Sequence, residues 1–116
     1  MVDINCIPFK DKLKIFLSTY YKIQGRTYSD EDFAESILTN RTRLYELYKD
    51  FETCPDNILF KVYYYLNQCV DLSLFSQSSY NSFLTSCHED LIIEIVGEIN
   101  RRVSNKNFEK SSKRGK

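Results

Sequence analysis

The chain has no tryptophan, one alanine, one histidine, two prolines and three glycines in 116 residues. Each scarcity removes a class of chemistry. The glycines (Gly25, Gly97 and Gly115) stand far apart, so no glycine-rich loop is present to cradle a phosphate. The four cysteines, Cys6, Cys54, Cys69 and Cys87, form no C-x-x-C pair, and His88 is the sole imidazole. A zinc site needs three or four converging ligands and usually shows close ligand pairs, so no metal is expected. Cys87 and His88 are adjacent, but a Cys–His nucleophile requires the two side chains to face one another, and neighbours at a helix start generally do not. Asp30, Glu31 and Asp32 lack the glycine turn and twelve-residue spacing of a calcium loop. These absences predict a non-enzymatic protein with no cofactor.

Long apolar runs are also missing. None approaches the ~20 residues that span a bilayer, and Asp3 and Lys10 interrupt any hydrophobic leader. The expectation is an intracellular, cytoplasmic protein with reduced thiols and no membrane contact. On that view the glycosylation pattern Asn40-Arg41-Thr42 is accidental, and Cys69, on an apolar helical face, is a buried, inert thiol.

What is abundant points to a packed core. Hydrophobic residues make up 42% and aromatic residues 15%, with nine Tyr and eight Phe. This is a globular composition, and the length suits one domain with one core. The excess of Asn, Lys, Ile, Tyr and Ser is that of AT-rich genomes, as in many phages, viruses and low-GC bacteria. The formal charge of zero hides a division. Residues 101–116 carry seven cations (Arg101, Arg102, Lys106, Lys110, Lys113, Arg114, Lys116) against Glu109, or +6. Residues 1–100 carry nine basic and fifteen acidic groups, or −6.

Helical spacing dominates the pattern. Phe9, Leu13, Phe16, Leu17, Tyr20 and Tyr21 predict a helix over 8–24, with Pro8 at its start and Gly25 as its stop. Ser29 is an N-cap, followed by three carboxylates that complement the helix dipole. Asn40 could cap a further helix, which leaves 30–53 as either one bent helix or two. Cys54-Pro55 ends that segment. Residues 57–70 read as a central helix: Tyr65, Ile58, Cys69, Val62, Leu66, Leu59, Val70 and Tyr63 share an arc of roughly 160°. Asp71–Ser79 reads as a loop or weak turn, and Tyr80, Phe83 and Leu84 as a short helix. Ser86 and Glu89 have capping-box spacing ahead of a last helix whose face is Leu91, Ile92, Ile95, Val96, Ile99 and Val103. Glu94 and Glu98 are spaced to pair with Arg101 and Arg102. The predicted architecture is all-α: an irregular bundle of four to six helices in a single domain over 1–103, with a basic, flexible tail over 104–116.

Two surfaces stand out as places for a partner. Phe60 and Tyr64 project four residues apart into the polar arc of the central helix, and Ile15 is similarly misplaced on the first. The plain reading is that a neighbouring helix or loop covers them. The functional reading is a partner-binding anchor rimmed by polar groups. The basic run Arg101, Arg102, Lys106, Lys110, Lys113, Arg114 and Lys116 can neutralise phosphates without reading bases, or simply keep the terminus solvated. The expected function is a small adaptor or regulatory protein, suited to phage or bacterial transcription or replication. Its acidic body would bind a larger protein, and its tail would touch nucleic acid or an acidic surface. The alternatives are a direct, sequence-nonspecific nucleic-acid binder and an acidic inhibitor or immunity protein.

Overall fold

The computed structural model describes residues 7–114, with side chains described as far as Asn105. The fold is all-α, as the spacing predicts. Six helices follow in order: α1 (Phe9–Ile23), α2 (Asp30–Ser36), α3 (Arg41–Lys49), α4 (Asp56–Tyr64), α5 (Ser73–Ser76) and α6 (Asn81–Arg114). A π turn, Tyr65–Cys69, prolongs α4. No strand occurs among the described residues, and no helix there is long and apolar enough to cross a membrane.

The helix ends follow local rules. Gly25 sits at φ +74° just past α1. The Arg26 N–H donates to the Tyr21 carbonyl and the Gly25 N–H to that of Lys22, which together make a Schellman stop. The Ser29 hydroxyl accepts from the Asp32 N–H at 3.1 Å. Asn40 does the same for Arg43 at 2.9 Å. The second cap settles the open question over 30–53, which forms two helices.

Leu13, Phe16 and Leu17 of α1 are fully buried, and α1 lies along α6, where Leu84, Leu91 and Ile95 close the core. From the central segment, Ile58, Leu59, Val62 and Leu66 enter the same core. α6 is one continuous helix, so no capping box forms at Ser86. The apolar positions Leu84, Cys87, Leu91 and Ile95 keep helical spacing across that point, and burying them together favours unbroken backbone. The inward face is also rotated from the predicted one. Glu98 is buried at 6% exposure, whereas Val103 is 49% exposed. The backbone stays helical past residue 103, as far as Arg114 in the stretch read as a tail.

Among the described residues, two charged groups lie inside. Lys12 is 2% exposed and its Nζ meets Glu94 Oε2 at 2.7 Å, tying α1 to α6. Glu98 is held by two arginines, described below.

Candidate partner-docking groove

The groove begins where α2 stops. The Thr39 N–H donates to the Ala34 carbonyl at 2.8 Å, and the Leu38 N–H to that of Glu35 at 3.0 Å. This is again a Schellman stop, but the left-handed position is held by Leu38, at φ +60°. That conformation costs a branched L-residue about 1–2 kcal/mol. Leu38 recovers little of this by burial, since it is 83% exposed. Lys61 Nζ fastens its carbonyl at 2.8 Å.

The opposite wall is α4 and its π turn. Phe60 is 50% exposed and Tyr64 is 63% exposed, so among the described residues no other element covers either. The buried Tyr65 ring packs edge-on to Phe33 of α2, with centroids 5.1 Å apart, and so holds the two walls together. Burial pushes the Tyr65 hydroxyl well above the usual tyrosine range, so it stays protonated. Ile37, Leu38, Phe60, Tyr64, Tyr65 and Cys69 give the groove an apolar lining and a volume of about 220 Å³. Sites that enclose drug-sized ligands run about 300–1,000 Å³. This one has room for one or two protein side chains.

Cys69 corrects a sequence expectation. An even 100° step places it on the core face, but it is exposed. In the π turn the Val70 N–H reaches back five residues to the Tyr65 carbonyl. The widened ring delays the rotation of the residues after Tyr64, and Cys69 turns out of the core into the groove. Ile15 is 40% exposed on α1 but does not line the groove. In the sequence Phe33, Ile37 and Leu38 read as one apolar stripe; Phe33 and Ile37 are buried, but Leu38 turns outward past the helix end, and only the fold brings that end beside α4.

The basic run is divided. Arg102 points into the body. Its Nε meets Glu98 Oε2 at 2.6 Å, and Nη1 meets the Cys54 carbonyl at 2.7 Å and Asp56 Oδ1 at 2.6 Å. Nη2 donates to the carbonyls of Phe51 and Glu52. Arg101 grips Glu98 as well and the Glu52 carbonyl at 3.1 Å, but remains half-exposed. Arg102 is therefore a latch between α6 and the 51–56 loop rather than a free cation. The side chains of Lys106, Lys110, Lys113, Arg114 and Lys116 lie outside the described residues, as does Cys6.

His88 also has a structural partner. Its Nε2 lies 2.7 Å from the Leu66 carbonyl, and its ring packs against both Phe16 and Phe75, which also touch each other. Cys87, its neighbour, is buried against the core. Among the described residues no group of three or more His, Cys, Asp or Glu side chains could hold a metal ion.

Comparison with models of known protein families, with curated proteins and with solved structures gave no match.

The left-handed leucine gives a direct prediction. Leu38→Gly relieves the backbone strain, about 1–2 kcal/mol, against about 0.5–1 kcal/mol of added unfolded-chain entropy. The variant should be more stable by roughly 0.5–1 kcal/mol, read as a higher urea midpoint with an unchanged slope. A lower midpoint would show that Leu38 is supported by packing.

Proposed function

We propose that this protein is a non-enzymatic helical adaptor that binds a larger protein through the groove between the end of α2 and α4. The observation that carries this reading is Leu38. An 83% exposed leucine in a left-handed conformation weakens the folded chain. Strain of that kind persists where a function uses it. Phe60 and Tyr64 flank it, and aromatic anchors around a small apolar hollow are what a protein hot spot requires. The occupant that fits is one aliphatic or aromatic side chain, presented by a partner whose surrounding surface is basic. The basic rim follows from the net charge of −6 over residues 1–100.

The function retains a place for nucleic acid or another acidic surface at the far end of α6. With Arg102 engaged in the fold, the contribution there falls to Lys106, Lys110, Lys113, Arg114 and Lys116. Such contacts would add salt-dependent affinity and no base preference.

The test is affinity capture from native-host extract with three baits: the wild type, Phe60→Ala/Tyr64→Ala, and Ile15→Ala as a surface control. A partner held by the wild type and the control should be lost from the double variant. Hot-spot truncations cost about 2 kcal/mol or more each, roughly thirtyfold in affinity. Undiminished capture by the double variant removes the groove from the interface. Alkylating Cys69 with a bulky maleimide should block the same partner, because its thiol lies in the groove.

A further inference from the structure

Among the described residues nothing packs on the outward face of α6, and its pattern differs from that of an ordinary solvated face. Ile93, Val96, Asn100 and Val103 recur at alternating three- and four-residue spacing on the side away from the core. Ile93 is 67% exposed and Val103 49% exposed. Gly97 lies on the same side, and a Cβ built there would meet nothing within 4 Å, so a second backbone could approach closely. This is a short heptad seam with Ile and Asn at one core position and Val at the other.

We infer that a second copy of this chain occupies the seam, with its α6 antiparallel to the first. The charge division selects both the occupant and the direction. The first half of α6 carries Glu89 and Asp90, and the stretch beyond residue 105 carries Lys106 and Lys110 in the sequence. A parallel pair would set like charges side by side. An antiparallel pair sets the acidic half of each copy against the basic half of the other, and a chain of formal charge zero split as −6 and +6 complements itself. In this register Ile93 packs against Val103 of the second copy and Val96 against its Asn100. Asp90 then lies level with residue 106 of the second copy. The two-fold axis crosses the seam at the level of residue 98. The two Asn100 side chains lie about 6 Å apart along the helix direction, within reach of one another across the axis. A polar Asn in such a seam fixes register at some cost in affinity. The seam shares no residue with the groove, so one dimer would offer two grooves.

Sedimentation velocity of the full chain over a concentration series tests this. The wild type should show a reversible monomer–dimer equilibrium that shifts toward monomer as sodium chloride is raised. Ile93→Lys should be monomeric with an unchanged circular dichroism spectrum, since Ile93 supports no core contact. A monomeric wild type up to its solubility limit overturns the proposal, and so does an Ile93→Lys variant that dimerises like the wild type. Direction is read in a Cys6→Ser/Cys69→Ser background. Ile93→Cys mixed with Val103→Cys should oxidise to the mixed dimer. Faster cross-linking of Ile93→Cys with itself overturns the antiparallel arrangement.

Discussion

Arg102→Ala should cost about 3–5 kcal/mol and lower the melting temperature by roughly 12 °C or more. Arg102 is only 14% exposed at its side chain, and Glu98 is 5% exposed. Removing the guanidinium leaves a buried carboxylate with Arg101 alone and strips the carbonyls of Phe51 and Cys54 of their charged donor, while that of Glu52 keeps Arg101. A loss of this size is a large share of the about 5–15 kcal/mol that holds a domain together. Arg102→Lys should recover less than half of it, because one ammonium cannot reach both Glu98 and the 51–56 loop. A second readout locates the damage. Cys54 is 3% exposed beneath the latch. In a Cys6→Ser/Cys69→Ser background, its thiol should resist labelling with Arg102 in place and react in Arg102→Ala while the helical signal persists. An unchanged urea midpoint would show that the loop is held by other contacts.

The same clamp sets an acid dependence. Hydrogen bonds from Arg101, and then from Arg102, hold the Glu98 carboxyl below the ordinary glutamate value, outweighing its burial. A folded-state value below the unfolded one means that the group stabilises the fold above the unfolded value. That contribution disappears as pH falls through the folded one. The wild type should lose stability from about pH 4.3 downward. Glu98→Gln should show a flatter urea-midpoint profile across that window.

His88→Ala should cost about 3 kcal/mol. The π turn ends the central segment and leaves the Leu66 carbonyl without a helical partner, and His88 Nε2 supplies one at 2.7 Å. Leaving that buried acceptor unsatisfied costs about 1–3 kcal/mol. The missing ring also removes packing against Phe16 and Phe75, which adds to the loss. His88→Phe separates the two effects. It keeps an aromatic ring in place and should cost less than His88→Ala, only the share due to the carbonyl. Hydrogen exchange at the Val70 amide, which donates to the Tyr65 carbonyl across the π turn, should speed up in both variants. Equal stability of His88→Ala and the wild type would show that water replaces the imidazole freely.

The helices were legible because the information for them is local. Pro8, Ser29, Asn40 and Gly25 act on backbone groups within a few residues. The Phe9-to-Tyr21 spacing needs only an even helical step to mark the buried face of α1. The same reasoning misplaced Cys69, because it carried that step through a turn that widens. It also split α6 at Ser86, because a side-chain pattern that could cap a helix was present where the core favours continuous backbone. Phe60, Tyr64 and Ile15 stood out as residues off their helical faces, and all three are exposed. Only the first two face a groove, since that depends on α2 ending beside them. Arg102 was legible only in part: its bond to Glu98 follows from four-residue spacing, but its partner Asp56 lies 46 residues away, and Lys12's partner Glu94 lies 82 residues away.

By itself, then, the sequence determined an all-helical chain with an acidic body and a cationic end, and it offered no spacing suited to catalysis. Tertiary structure alone decided which cation became a latch, which thiol faced outward, and that a leucine would sit strained at the lip of a groove. The physical reason is range. Caps and helical periodicity act over one or two turns of backbone, whereas a side chain's burial and partners depend on surfaces that meet only when the helices pack.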